Sequence, residues 1–200
     1  MTEASFGIAG KDFVILATDC QSAFSIIKMK DDTDKITVVE NKLFAVTGTG
    51  ADATYFMGYM TEDLKLHTLR NGLELTTKAA ATWTRTNMAQ ALRKNPFQVD
   101  MLVAGVDEDG PQLFFLDMYA SMEKVNKAAH GYGAMFTFGL MDRFWHPDLT
   151  EEEGIALIKK CIKELETRFL VNLGRYTCKI VDKNGPRVLE LYDDDGRLKP

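Results

Sequence analysis

Three observations predict an α+β layered fold with predominantly antiparallel sheets. Strand-like and helix-like segments are grouped rather than alternating, in the order strands, two helices, strands, two helices, strands. Neither pair of helices serves as a simple crossover between alternating strands, which argues against a doubly wound parallel sheet. The early run at residues 13–17, FVILA, is apolar on consecutive residues, the pattern of a central strand covered on both faces. Thr150-x-x-Glu153 forms a capping box, and the helix it opens carries Ile155, Ile158, Ile162, Leu165 and Phe169 at steps of three and four. The grouping leaves three layers and four both open.

The elements follow in order. Residues 5–9 and 13–17 read as a hairpin around Gly10-Lys11-Asp12, and the second run delivers the carboxylate Asp19 to a strand tip. Residues 20–29 are a mixed loop or short strand pair, followed by a charged turn at 30–34. Strands are expected at 36–39 and 43–47, after which Gly48-Thr49-Gly50 breaks the pattern. The period then becomes helical over 51–70, with Phe56, Met60 and Leu64 on one face and Asn71-Gly72 as the stop. Thr76 or Thr77 can cap a second helix reaching about residue 94, with Ala81, Thr84, Met88, Ala91 and Leu92 inward. Strands return at 99–106 and 113–118 around an acidic Gly-Pro turn. The small, glycine-rich stretch 128–134 is expected to open a helix burying Phe136, Leu140 and Phe144, which ends at His146-Pro147. Two last strands, 176–181 and 187–191, flank Asp182-Lys183-Asn184-Gly185.

Composition bounds the function. Two hundred residues, 46% apolar and 26% charged, suit a single domain, 1–200, with a short polar tail from about residue 192. A net charge of -5 and a pI near 5.3 give no basic footprint for nucleic acid or an anionic membrane surface. No apolar run approaches the roughly 20 residues of a membrane span, and no secretion signal follows Met1. The expected location is therefore the cytoplasm and nucleus. Cys20, Cys161 and Cys178 are odd in number and far apart, which points to reduced thiols used as small apolar residues, not to disulfides or zinc.

Several separated motifs then occur in one order: FGIAGKDFVILATD, MKDDTDKI, the Gly48-Thr49-Gly50-Ala51-Asp52 turn and AAHGYGAMFTFGLMDRF. Over essentially the whole chain they resemble the beta-type subunits of the 20S proteasome. In MKDDTDK, RNGLEL, HGYGA and VDKNG the similarity is to the eukaryotic non-catalytic branch counted fourth in the beta ring. The resemblance implies a four-layer αββα sandwich of the N-terminal nucleophile hydrolase class. It also implies partners: other beta subunits of the same and the opposite ring, and alpha subunits. No cofactor or metal is implied.

Active members of that family are threonine proteases whose first residue attacks through its hydroxyl, with its own α-amino group as base. The resemblance places their supporting aspartate and lysine at Asp19 and Lys35, sixteen residues apart, and their oxyanion-binding glycine at Gly48. The nucleophile position falls on Glu3, which has no hydroxyl. The supporting serine position holds Tyr132, and the supporting aspartate position holds Phe169, followed by Asn172-Leu173-Gly174. The implied role is a structural and assembly subunit. An alternative is a threonine hydrolase using Thr2 after removal of Met1, and a free-standing hydrolase of the same fold is a third class.

Outside that family context the same residues have plainer readings. Asp19 and Lys35 would be a structural ion pair. Gly48, Gly50, Gly131 and Gly133 would serve turns and helix starts. His67, His130 and His146 lack ligand spacing and suit surface or helix-end places, while Phe136, Phe144, Trp145 and Phe169 suit core or subunit contacts. Phe24, Ile26, Ile27 and Met29 crowd a loop-like segment, so residues 24–29 are expected to meet a neighbouring beta subunit or line its peptide channel.

Overall fold

The computed structural model describes residues 3–24, 27–193 and 195–199. In chain order its strands and helices are β1 (Ala4–Ala9), β2 (Phe13–Asp19), β3 (Ser22–Phe24), β4 (Ile27–Lys30), β5 (Ile36–Val39), β6 (Lys42–Gly48), α1 (Gly50–Asn71) and α2 (Thr77–Ala91). There follow β7 (Val99–Asp107), β8 (Gly110–Leu116), β9 (Met122–Val125), β10 (Lys127–Gly131), α3 (Gly133–Phe144), α4 (Glu151–Arg168), β11 (Tyr176–Asp182) and β12 (Gly185–Val188). One sheet has the order β10-β1-β2-β11-β12 and the other β5-β6-β7-β8-β9, with β3 and β4 pairing only with each other among the described residues. The ladders are antiparallel throughout both sheets.

Strand β2 shows why the chain forms layers. Phe13, Ile15 and Ala17 lie in the cluster beneath α3 and α4, whereas Val14 and Leu16 lie in the cluster between the sheets. Alternate residues thus serve different cores, so a consecutive apolar run is what this position demands. Against the second sheet, Phe56, Met60 and Leu64 of α1 and Ala80, Ala81 and Met88 of α2 close a third cluster. The result is an αββα sandwich. Helix ends follow their sequence signals: Thr76 caps α2 through the Ala79 amide, Thr150 and Glu153 complete the capping box, and Gly72 ends α1 at a φ of 68°.

Five expectations are corrected. Residues 122–131 form β9 and β10, and α3 begins only at Gly133. The turn at Asp107 is tighter than expected, because β8 already starts at Gly110. Helix α3 buries Gly133, Thr137 and Met141, leaving Phe136 and Leu140 partly buried and Phe144 exposed. That face is one step round from the expected one because a small-residue stripe lets the helix sit close to β1: a Cβ on Gly133 would stand 2.7 Å from Ala4 Cβ. His130 is not at the surface; it is buried between the sheets, stacked on Phe115 at 4.1 Å and hydrogen-bonded to the Met101 carbonyl at 3.0 Å. Burial holds its pKa below the ordinary range, against the opposing pull of Asp100. Finally, the last strand is shifted toward the turn, running over Gly185–Val188 instead of 187–191; beyond it Tyr192 bridges Leu198, and the Tyr176 amide donates to the Tyr192 hydroxyl at 3.0 Å.

Candidate functional site

Because β2 is the central buried strand, its last residue is held by neighbours on both sides. Asp19, only 1% exposed, lies opposite Tyr176 of β11. The Ala4 amide donates to Asp19 Oδ1 at 2.9 Å, and Oδ2 accepts the Gln21 amide at 3.1 Å and the Lys35 ammonium at 2.9 Å. Lys35 enters from the stretch just before β5. Its Nζ also donates to Glu3 Oε1 at 2.9 Å, and the other oxygen of that carboxylate accepts the Gly48 amide at 2.8 Å. The bonds therefore close a ring: Gly48 to Glu3, Glu3 to Lys35, Lys35 to Asp19, and Asp19 to Ala4, the residue following Glu3.

Backbone fit explains two of the glycines. Gly48 has φ 154°, and a Cβ there would stand 2.3 Å from the Gln98 carbonyl oxygen. Gly131, at φ 68°, would place a Cβ 2.2 Å from the Glu3 carbonyl oxygen, so β10 can approach the start of β1 only without a side chain. Glu3 is pinned from behind by that strand and in front by Lys35.

The electrostatics follow from two carboxylates around one ammonium. Burial pushes the Asp19 carboxyl above its ordinary value, with Lys35 pulling the other way. Burial also works against the Lys35 charge, but Asp19 and Glu3 outweigh it and hold the ammonium above its usual range. A lysine so held stays protonated at neutral pH and has no lone pair with which to act as a base.

In front of this ring opens a cleft of about 1140 Å³, lined by Glu3, Lys35, Gly48, Thr49 and Met57 among others. Tyr132 and Phe169 are brought together, but elsewhere: their rings stack at 5.6 Å and 28°, with Phe136 tilted against Phe169, and neither lines the cleft. Asn172 meets the site from the side, accepting Gln21 Nε2 on its carbonyl at 2.7 Å. Thr2 lies outside the described residues, as do Ser25 and Ile26.

The structure thus gathers Glu3, Asp19, Lys35 and Gly48 in one place and moves Tyr132 and Phe169 to an aromatic contact beside it. Sequence reasoning missed the amides of Ala4 and Gln21, which carry no side-chain signal. It also scored Glu3 only as a lost hydroxyl. The readable signal was charge: a carboxylate in register with the Asp19 and Lys35 pair has a cation to hold. Among the described residues no group of His, Cys, Asp and Glu is arranged to hold a metal, and no helix is long and apolar enough to cross a membrane.

An αββα sandwich with this carboxylate-lysine pair behind the start of its first strand defines an N-terminal nucleophile hydrolase fold. A family model described as "Proteasome subunit" matches residues 2–181. The chain is 43% identical over 187 residues to "Proteasome subunit beta type-2-A" of Arabidopsis thaliana, covering 92% of each chain. It is 34% identical to "Probable proteasome subunit beta type-4" of Schizosaccharomyces pombe, over 94% of this chain and 100% of that one. Its identity to the protein of that same type name in Neurospora crassa is 35%, over 98% of both. The chain belongs to the proteasome beta-subunit family.

Proposed function

We propose that this chain is a non-catalytic structural and assembly subunit of the 20S proteasome core particle, contributing to ubiquitin-dependent protein degradation through the assembled complex. It forms one domain, sits at the position counted fourth in the beta ring, and contacts beta subunits of its own and the opposite ring as well as alpha subunits. Its location is the cytoplasm and nucleus. The relatives named beta type-4 support the ring position; those named beta type-2 carry another type number and give it no support by name.

The observation that carries the reading is the double engagement of Glu3. Acyl transfer of the family's kind needs a hydroxyl nucleophile, a base and a free donor for the developing oxyanion. Here the residue in the nucleophile position is a carboxylate, and its two oxygens already hold Lys35 and the Gly48 amide. The donor that would stabilise an oxyanion is occupied by the protein itself. Thr2 does not repair this, because it lies one residue upstream of the register, about 3.3 to 3.6 Å along an extended chain. A misplacement of about 1 Å can already cost on the order of a hundredfold in rate.

The test treats the assembled particle with a threonine-directed electrophile and measures the intact mass of every beta chain. This chain is expected to stay unmodified while active neighbours gain the adduct. An adduct on Thr2 comparable to theirs would overturn the reading and make the chain an enzyme.

A further inference from the structure

Lys179 is a charged residue in an apolar place. On β11, Tyr176, Cys178 and Ile180 turn toward the helices, and Val181 turns into the core between the sheets. Strand alternation puts Lys179 on the same face as Val181. It is only 7% exposed and lies opposite Leu16 of β2. A lysine there is costly unless its ammonium is fully engaged.

That ammonium crosses from the first sheet to the edge of the second. It donates to Asp34 Oδ2 at 2.6 Å and to the Ile36 carbonyl at 2.5 Å. Asp34 and Ile36 are the residues on either side of Lys35, and Asp34 Oδ1 in turn accepts the Ile36 amide at 3.0 Å. The Lys35 carbonyl accepts the Val46 amide at 3.1 Å, which ties the same backbone to β6, while its ammonium reaches Asp19 Oδ2 at 2.9 Å.

We propose that Lys179 is a positioning residue for the site, fixing the backbone on both sides of Lys35 and so setting where its ammonium lies relative to Asp19 and Glu3. The frame of reference is shared. Asp19 ends β2 opposite Tyr176 of β11, and Lys179 stands three residues further along β11. One strand therefore locates both members of the pair, one through the sheet ladder and the other through a side chain. This holds whether or not the site performs catalysis.

The test is competitive acylation of lysines by acetic anhydride in the assembled particle, with the rate at each lysine read by mass spectrometry. In Lys179→Met, Lys35 should leave its carboxylates; each unit lost from an amine pKa exposes about tenfold more free base, so its rate should rise roughly tenfold or more. Lys127, paired with Asp142 at the opposite end of β10 from Gly131, should keep its rate. Asp34→Asn retains the shape of the site, removes the charged partner of Lys179, and should raise the Lys35 rate in the same direction by less. If Lys179→Met fails to assemble, Asp34→Asn decides alone. An unchanged Lys35 rate in the variants that assemble, or a rise shared by all lysines of the chain, overturns the proposal.

Discussion

Glu3 Oε2 accepts the Gly48 amide at 2.8 Å while Oε1 of the same carboxylate holds Lys35 at 2.9 Å. One side chain thereby ties the beginning of the chain to the end of β6. Glu3→Ala leaves that amide without its acceptor and Lys35 with Asp19 alone. The expected loss is about 1 to 3 kcal/mol of local stability. Amide hydrogen exchange around Gly48 in the assembled particle should quicken accordingly, with no gain of peptide hydrolysis. Unchanged exchange would show that the bond contributes nothing.

The Tyr132 and Phe169 stack should behave as a unit. Such aromatic pairs are worth about 0.5 to 1.5 kcal/mol beyond the area they bury. A double-mutant cycle of Tyr132→Ala and Phe169→Ala, read by denaturation of this chain within the particle, should return a coupling of that size. Strictly additive losses would mean that the two rings stabilise the fold separately.

Thiol chemistry offers a third check. Burial pushes the Cys161 thiol up to about 12, and it raises Cys178 as well. Relative to an ordinary value of 9.0, a shift to about 12 leaves on the order of a thousandfold less thiolate at pH 8. Iodoacetamide should therefore spare both residues in the native particle at that pH and label them after denaturation. Rapid native labelling of Cys161 would contradict its burial on the inner face of α4.

Stability should fall on the alkaline side. Burial raises the Tyr176 and Tyr192 phenols above 10.0, and Lys35 is raised above 10.5 by its carboxylates in spite of burial. All three keep their protons in the folded chain at pH values where the unfolded chain gives them up. Their contribution is thus complete below about pH 10 and is lost as pH climbs through the raised values. A late phenolate absorbance step should coincide with loss of the tertiary circular-dichroism signal. Full phenolate formation while that signal persists would refute the linkage.

The β3–β4 hairpin should matter for assembly. Ile27 is 61% and Met29 71% exposed on a ribbon that joins neither main sheet. Met29→Asp is expected to lower incorporation of the chain into rings, measured by native electrophoresis against wild type. Equal incorporation would remove the hairpin from the list of contacts.

Much of this architecture was legible because strong local signals agreed with the tertiary solution. FVILA predicted a doubly covered strand and Thr150-x-x-Glu153 predicted a helix start, and both are found. Strand β10 was not legible. Lys-Ala-Ala-His-Gly has poor strand propensity, and its extended form is imposed by β1, which pairs Ala4 with Gly131 and Phe6 with Ala129. The same long-range pairing buried His130, whose place between the sheets has no local signature. At the site, spacing and resemblance located Asp19, Lys35 and Gly48. That Glu3 would bind two of them depends on side-chain reach across three separate segments, which no linear pattern records.

A cleaved peptide leaves behind a new carboxylate, and Glu3 presents that same chemical group to the Lys35 ammonium and the Gly48 amide. The arrangement thus resembles a site with a carboxylate product held in place, except that the carboxylate belongs to the chain's own Glu3 side chain. Because the group is tethered, any peptide acid arriving from solution competes with an effective concentration at least on the order of millimolar. A peptide carboxylate arriving from solution therefore finds no vacant anchor between Lys35 and the Gly48 amide.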